Sequence, residues 1–432
     1  MSSIETTESK PGDPGDIESL MTRPEKMRTT PPRPRRADPE PREFSYPFIS
    51  VDDHLVEPRH TFVGRMPSKY AEIGPRVERG EDGGDYWVFE DKRSPITGVD
   101  SEMSWERTDW YRGPVNFDEM RPGVYDIHER VRDMDIGGLT ASLNFPSSSF
   151  GFAGQVFSRM QDKDLGLASM RAYNQWVIEE WAGTYPDRII GNQVPWLLDP
   201  EIAAQEIYAN AEKGFKCVAF SENPDRLGYG SIWGDYWDPF FRACEETETV
   251  VNLHVGSSSW TMVPSMHSPS EVYGPLFGVN GIAAVLEFLF AKVPVKFPGV
   301  KFAISEGGIG WVTMLLDRLE FDMNVKRMQP GGFGDAWGVP DVTPIDVVHR
   351  NFYFCTFHDP TAFEHRERIG IENIMLECDY PHPDSTWPDA QALMMETLAG
   401  LPHEDIERIA WKNASKLYRH PVHVESVTGA VS

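Results

Sequence analysis

The sequence predicts an α/β protein built as a (β/α)8 barrel of the TIM type, with long insertions after strands 1, 5 and 6 that cover the carboxyl-terminal mouth. Three observations predict this fold. Eight short apolar runs recur along the chain, segments with helical periodicity separate them, and several runs end on a carboxylate or an imidazole. Strands that alternate with helices are typical of a parallel sheet with crossover helices, and barrel enzymes gather their chemistry where the strands end.

The predicted strands are short and rich in β-branched and aromatic residues, as strand propensity requires. They are Phe48 to His54, Leu139 to Phe145, Ile189 to Val194, Lys216 to Phe220, Val250 to Val255, Val300 to Ser305, Phe352 to Thr356 and Ile374 to Cys378. The segments between them have the helical period. The predicted helices are Asp126 to Asp135, Asp162 to Tyr185, Pro200 to Lys213, Trp237 to Thr247, Gly281 to Lys292, Ile309 to Met323, Pro360 to Ile369 and Trp387 to Ala399.

Composition divides the chain into a barrel domain and two tails. Residues 1–44 are rich in Pro, Ser, Thr, Glu and Arg without apolar periodicity, so we expect a disordered amino-terminal tail there. Residues 45–420 form the predicted barrel domain, and residues 421–432 a flexible carboxyl-terminal tail. The insertion 59–125 follows the first strand. The other long connections span residues 256–280 and 324–350, well beyond the usual length of barrel loops.

The charge and cysteine content exclude several classes of partner and location. The 432 residues include 67 acidic and 41 basic side chains, giving a net charge of -26, which argues against nucleic acid or an anionic membrane as a partner. Four cysteines imply no disulfide framework. The chain starts without the pattern of a secretion signal and has no apolar run of about 20 residues, so we expect a cytoplasmic protein.

The most informative segment is FISVDDHLVEP, where the first predicted strand ends in Asp52, Asp53 and His54. Successive side chains of a strand point to opposite faces. Asp52 and His54 therefore point the same way and can both bind one divalent metal ion, whereas Asp53 faces the other side.

Three later strands end on further candidates: His254 in VVNLHVG, Glu306 in KFAISEGG and Asp379 in NIMLECDYPH. A metal ion that activates water needs a few ligands and one open position. Asp52, His54, His254 and Asp379 supply two carboxylates and two imidazoles. A single histidine on a strand is more often a core residue than a ligand, so it is the combination that predicts a metal site at the rim of the barrel.

Four motifs carry a family resemblance: VDDHLVEP, NLHVG, SEGGIGW and CDYPHPDSTWP. With them, residues 47–419 resemble amidohydrolase family 2, the branch that includes amino-carboxymuconate-semialdehyde decarboxylase. The resemblance implies a distorted barrel, a homodimer and one zinc or manganese ion. It implies the ligands Asp52 and His54 on the first strand, His254 on the fifth and Asp379 on the eighth.

The chain departs from the family pattern at two positions. Asp52 stands where many relatives have histidine, and an added oxygen ligand makes both Mn²⁺ and Zn²⁺ suitable. Glu306 stands where the family's decarboxylases usually have a histidine that handles the proton at the ring carbon. A carboxylate there would repel a carboxylate substrate in a dry site, which favours hydrolysis over decarboxylation.

The sequence therefore predicts a metal-dependent hydrolase that cleaves a C–N or C–O bond of a small cyclic or aromatic molecule. Asp379 is expected to take the proton of a metal-activated water and pass it to the leaving group. Glu306 is expected to bind the metal, orient the water or hold His254. His382 is expected to polarise a carbonyl or protonate the leaving group, with a structural hydrogen bond in its loop as the alternative.

Two other functions stay open. The alternative enzyme is a non-oxidative, metal-dependent decarboxylase of an aromatic or unsaturated carboxylic acid. It differs from a hydrolase in releasing CO₂ and taking a solvent hydrogen onto carbon. The alternative from another class is a binding protein that kept the barrel and lost its chemistry, but such a protein should lack one of the ligands. The expected partner of either enzyme is a small-molecule substrate.

Overall fold

The computed structural model describes residues 35–96, 98–106, 116–265, 267–326 and 336–422. Most of each predicted tail, residues 1–34 and 423–432, lies outside the described residues. Residues 35–44 form no helix or strand but contact the body of the protein: Arg42 pairs with Asp389 at 2.6 Å, and the Arg42 amide donates to the Ile136 carbonyl.

Among the residues described, twelve strands form a parallel barrel sheet and a small antiparallel sheet. In chain order they are β1 Ile49–His54, β2 Arg76–Arg79, β3 Asp85–Phe89, β4 Lys92–Pro95, β5 Ala141–Phe145, β6 Ile189–Ile190, β7 Asn192–Gln193, β8 Cys217–Phe220, β9 Val250–His254, β10 Phe302–Ser305, β11 Phe352–Thr356 and β12 Ile374–Leu376. The barrel strands pair in the order β6, β5, β1, β12, β11, β10, β9, β8, β7. Because only Gly191 separates β6 from β7, one run of chain joins both ends of the sheet and closes the barrel.

The predicted barrel fold is confirmed, with β6 and β7 together forming its third strand. Helices follow the strands as expected. Those of eight residues or more are Ile127–Gly137, Lys163–Trp176, Pro200–Lys213, Asp238–Glu246, Phe277–Phe290, Gly310–Lys326, Pro344–Asn351 and Ala390–Thr397. The shorter ones are Gln155–Arg159, Ala182–Thr184, Val293–Lys296, Pro360–Phe363, Arg366–Ile369, His403–Glu407 and Asn413–Tyr418. Asp126, Asp162 and Asp199 each accept two amide hydrogen bonds at a helix start.

The structure differs from the prediction in the connection 324–350. It contains the helix Pro344–Asn351, which begins with a capping box between Thr343 and Asp346. This connection joins a helix to the next strand, so it leads to the amino end of β11 and not to the mouth of the barrel. The eighth strand is also shorter than predicted, ending at Leu376, because the chain turns toward the site at residue 379.

Small apolar side chains fill the barrel below the site. They include Ile49, Val51, Ala141, Leu143 and Ala303, all at most 1% exposed. The carboxyl-terminal helix Asn413–Tyr418 contributes to this filling, and the Tyr418 hydroxyl donates to Asn252 at 2.9 Å inside the barrel. The polar site therefore rests on a packed floor.

The insertion after β1 forms the small sheet of β2, β3 and β4 and then the short helical segment Gly98–Ser104. Trp87 of β3 is fully buried against Phe62 and Phe150. The segment Gly98–Ser104 reaches the loop after β12, where the Met103 amide donates to the Pro381 carbonyl at 3.3 Å. The insertion therefore lies over the end of the barrel where the strands finish.

Across the described ranges, every helix is either too short or too polar to span a bilayer.

Candidate active site

An irregularity in β1 directs the first two candidate ligands. Ile49 and Val51 point into the barrel, and the pairing of β1 with β5 shifts register between Ser50 and Asp53. After this bulge Asp52 and His54 face the barrel axis. Asp53 faces the other side, where its carboxylate accepts bonds from Ser50 Oγ at 3.0 Å and from the Tyr380 amide at 2.9 Å.

His254 ends β9, and its environment sets its ring orientation. Its Nδ1 lies 2.6 Å from the Val255 carbonyl oxygen, which can only accept, so Nδ1 carries the proton. The lone pair of the neutral ring is then on Nε2, which faces His54. A backbone acceptor on the far nitrogen is the usual way in which proteins orient a metal-binding histidine.

Glu306 and Asp379 follow β10 and β12 with left-handed backbone conformations, at φ of 60° and 55°. Such angles are uncommon for residues with a side chain and persist where neighbours hold the backbone. Here the Glu306 amide donates to Glu377 Oε2 at 3.2 Å, and the Asp379 amide donates to the Asp52 carbonyl at 2.8 Å. The turns bring both carboxylates to the site.

The four predicted ligands converge on His54 Nε2. This nitrogen lies 3.4 Å from Asp52 Oδ1, 3.4 Å from Asp379 Oδ1 and 3.1 Å from His254 Nε2. His254 Nε2 lies 3.4 Å from Asp52 Oδ1. Glu306 Oε2 is slightly farther out, 3.7 Å from His254 Nε2. Asp52, His54 and His254 each have a ligand atom within 4.8 Å of the others, and so do His54, Asp379 and His382, so His54 belongs to both groups.

The residues of this cluster fit a divalent cation. All four are fully buried, and the oxygens of Asp52 and Asp379 have imidazole nitrogens nearby, at 3.4 Å and 3.1 Å, but no hydrogen bond of good geometry, while His54 Nδ1 has no partner. Buried polar atoms normally have partners because an unpaired one costs free energy. Two carboxylates and two imidazoles with their acceptor atoms turned inward are a ligand set for Zn²⁺ or Mn²⁺.

The electrostatics of the cluster favour positive charge. Burial opposes protonation of His254, but the nearby charge of Asp52, together with the Val255 carbonyl, outweighs it and raises the pKa of His254 to about 9. Burial, together with the nearby His382, lowers the pKa of His54 to about 3. One proton is thus drawn onto an imidazole between carboxylates, at the point where a cation would supply the same charge.

Burial favours the protonated form of two carboxyl groups at the site. Burial raises the pKa of Glu306 well above its usual value, and does the same for Glu377, which lies behind it. Glu377 also contacts the buried thiol of Cys355. The Glu306 side chain is 12% exposed, whereas those of Asp52, His54, His254 and Asp379 are at most 1% exposed. Glu306 is therefore the acid that faces the opening of the site.

His382 is part of the same site. Its ring stacks on His54 with 3.7 Å between centroids and 24° between planes. Nδ1 lies 3.1 Å from Asp379 Oδ1, and Nε2 lies 3.5 Å from Asp100 Oδ1. Burial opposes protonation, but the charges of Asp379 and Asp100 outweigh it and raise the pKa of His382 well above its usual value.

All six residues predicted for the site, Asp52, His54, His254, Glu306, Asp379 and His382, are brought together. Sequence reasoning missed two others, Glu377 and Asp100. Glu377 follows the end of β12 at Leu376, and Asp379 lies in the turn beyond it with a left-handed backbone, so the turn and not strand alternation places Glu377 at the site. Asp100 belongs to the insertion, where no local pattern distinguishes it from any solvated acid.

Comparison with known proteins gives a family match. The family model described as amidohydrolase matches residues 99–420 of this chain. A search of curated proteins found no match.

Solved structures with the same fold include an amidohydrolase from Mycobacterium avium subsp. paratuberculosis, with a TM-score of 0.65 and 20% identity over 87% of this chain and all of the other. A 5-carboxyvanillate decarboxylase from Novosphingobium aromaticivorans, complexed with manganese, has a TM-score of 0.58 and 18% identity over 87% and 96% of the two chains. A dihydroxybenzoic acid decarboxylase from Polaromonas, with bound manganese, has a TM-score of 0.57 and 17% identity over 87% and 97%.

Proposed function

Since the chain belongs to the amidohydrolase family, we propose that it is a metal-dependent, non-oxidative decarboxylase of an aromatic or unsaturated carboxylic acid. The fold is shared with manganese-containing decarboxylases of benzoic acid derivatives. This similarity favours the decarboxylase alternative over the hydrolase expected from the sequence. The burial of Glu306, which favours its neutral form, supports the same reaction.

The observation that carries the proposal is the burial of Glu306 beside the carboxylates of Asp52 and Asp379. An ionised Glu306 would repel a substrate carboxylate. Burial raises the pKa of Glu306 well above its usual value, which favours its neutral acid form and weakens this repulsion. Despite burial, the nearby charges of Asp379 and Asp100 raise the pKa of His382, which favours positive charge next to a substrate carboxylate.

We assign Asp52, His54, His254 and Asp379 as the residues that would hold the metal ion. A bound Mn²⁺ or Zn²⁺ would polarise substrate oxygens as a Lewis acid. The orphaned oxygens of Asp52 and Asp379 and the inward lone pair of His254 support this assignment. The buried apolar floor beneath excludes water from below, which strengthens these interactions.

The protein supplies the proton for the reaction. The Glu306 carboxyl group donates its proton to the carbon that bears the substrate carboxylate. The C–C bond to that carboxylate then breaks, CO₂ leaves, and the electron pair of the bond returns to the ring. Glu306 regains a proton from solvent, to which it is the most exposed residue of the site. A positioned acid of this kind contributes about 10²–10⁴-fold to a rate.

The test is an isotope experiment on the protein loaded with Mn²⁺ or Zn²⁺. Dihydroxybenzoic acids and 5-carboxyvanillate are incubated with it in D₂O. We expect CO₂ release and one deuterium at the vacated carbon of the product. Glu306→Gln, which cannot donate a carboxyl proton, should lose turnover and keep its metal. Release of CO₂ from no acid in the panel would contradict the proposal.

Hydrolysis is the second candidate, supported by the excess of acids around the site. Glu102 and Asp384 lie near His382, and burial raises the pKa of both, to about 8 for Glu102. In a hydrolase Asp379 would accept the proton of water. Lactones and amides in H₂¹⁸O test this candidate, because hydrolysis puts the heavy oxygen into the product and decarboxylation does not.

We also propose the class of substrate, the oligomeric state and the cellular location of the protein. The substrate is a small molecule, as for the neighbours with dihydroxybenzoic acid and 5-carboxyvanillate in their descriptions. We propose a homodimer, and light scattering coupled to size-exclusion chromatography measures it. We also propose a cytoplasmic location, which cell fractionation tests.

A further inference from the structure

The insertion after β1 contacts the site through one short segment, Gly98–Ser104. The Met103 amide of this segment donates to the carbonyl of Pro381, the residue before His382. On its other side the segment is tied to the loop after β5, through Asp100 and Ser148. The segment therefore bridges two of the loops that surround the metal ligands.

Asp100 is the residue of this segment that faces the site. It is fully buried. Its Oδ1 accepts the Ser148 amide at 3.1 Å, and its Oδ2 accepts the Ser148 hydroxyl at 2.5 Å. Oδ1 also lies 3.5 Å from His382 Nε2. Ser148 thus fixes the carboxylate, and the carboxylate faces the imidazole.

We propose that Asp100 is a positioning residue, which holds the His382 ring in the orientation that the reaction uses. Both nitrogens of His382 face a carboxylate oxygen, Nδ1 that of Asp379 and Nε2 that of Asp100. The stacked ring of His54 covers one face. With Asp100 removed, the ring keeps its contact with Asp379 and its stack on His54 but loses the carboxylate that faces Nε2. The insertion then completes the active site in addition to covering it.

A neighbouring pair of residues provides a matched control. Glu57 is also fully buried, and it accepts the amide of Ser147 at 3.1 Å and the hydroxyl of Ser147 at 2.6 Å. Glu57 and Asp100 thus bind consecutive serines of one loop in the same way. Only Asp100 faces His382. Glu57→Gln and Asp100→Asn therefore disturb the loop alike, and they differ in their effect on the imidazole.

The kinetic test rests on the proposed decarboxylase function and compares these two variants as metal-loaded protein. We expect Asp100→Asn to lower kcat by about 10–100-fold, the size of effect seen when an outer partner of a metal-binding histidine is removed, while KM and metal content match those of Glu57→Gln. We expect the kcat of Glu57→Gln to stay within about threefold of the original protein. Equal losses of kcat in both variants would overturn the proposal, because the role would then be to anchor the loop.

A second readout does not depend on turnover. In ¹⁵N-histidine-labelled, Zn²⁺-loaded protein, a protected Nε2 proton of His382 is identified by its disappearance in His382→Gln. We expect this signal to remain in Glu57→Gln and to be lost in Asp100→Asn. Its survival in Asp100→Asn would overturn the positioning role. If no acid is decarboxylated but the signal behaves as expected, the proposed reaction is wrong and the role of Asp100 holds.

Discussion

Glu306 and Asp379 are the two site residues whose backbones adopt left-handed conformations. Such a conformation costs on the order of 1 kcal/mol for a residue with a side chain. Neighbours fix both turns through their amides, with Glu377 accepting from Glu306 and the Asp52 carbonyl accepting from Asp379. Both residues lie just past the ends of β10 and β12, where the left-handed turns direct their carboxyl groups toward the site.

Asp379→Asn tests the central carboxylate. The amide binds a cation weakly, so the site would lose the metal ion that would polarise the substrate, and we expect kcat to fall by more than about 100-fold. Its backbone hydrogen bond to Asp52 does not involve the side chain, and Tm should change little. Asp389→Asn, at an exposed pair with Arg42, is the control and should keep full activity. Normal kcat in Asp379→Asn would refute its assigned role.

His254→Ala tests the metal ligand set. Removal of a direct ligand should weaken metal binding by more than about 100-fold, since even outer partners of ligands cost 10–100-fold. Metal analysis after dialysis measures this loss. His403, an exposed residue that contacts the Tyr46 hydroxyl, supplies the control His403→Ala, which should retain the metal. Equal metal content in both variants would show that His254 is no ligand.

At the scale of elements, the helix Ile127–Gly137 holds the site in place from outside the barrel. Its Arg130 donates to the His54 carbonyl. Its Asp133 is paired with Arg121 at 2.6 Å and accepts the Tyr380 hydroxyl at 2.6 Å, next to Asp379. One helix therefore supports both the first strand and the loop after the eighth.

Asp133→Ala should destabilise the protein by about 3 kcal/mol, because it leaves the buried Arg121 without its closest carboxylate. Asp135 lies on the same helix and pairs with Arg188 at 2.7 Å, but its side chain is 63% exposed. Asp135→Ala should therefore cost under about 1 kcal/mol. Urea unfolding of both variants measures the difference. Similar values for the two would show that the buried network contributes little.

At the scale of the whole molecule, acidic groups are both numerous and buried. Burial raises the pKa of Asp53 to about 7 and of Glu57 and Glu102 to about 8. The folded protein therefore binds protons at these groups that the unfolded chain has already released. Stability is highest where both states are protonated and falls as pH rises toward the folded pKa values.

Glu57→Gln tests this linkage. For Glu57 the window runs from its usual pKa, about 4.5, to about 8, and the slope is at most about 1.4 kcal/mol per pH unit. The unfolding free energy of the variant should rise relative to that of the original protein between about pH 5 and about pH 8. Urea titrations across this range measure it. A constant difference would mean that Glu57 titrates normally in the folded state.

Much of the architecture could be predicted from the sequence because it depends on local periodicity. The runs at Val250 and Phe352 begin the observed strands, and Pro200 to Lys213 is the observed helix. The helix Pro344–Asn351 was missed although its signals are present in the sequence: Thr343 and Asp346 form a capping box, and Val347 and Val348 lie on its buried face. It is only eight residues long and lies at the end of a long connection, so it is predicted only as part of that connection.

The site, like the fold, was predicted only in part from the sequence. Strand alternation and strand ends identify Asp52, His54, His254, Glu306 and Asp379 from the chain alone, because parallel strands of a barrel deliver their ends to one rim. Only the tertiary structure shows that Glu306 is buried beside other carboxyl groups and that Asp100 faces His382. Both depend on burial and on contacts between segments distant in sequence, and neither leaves a pattern in the residues nearby.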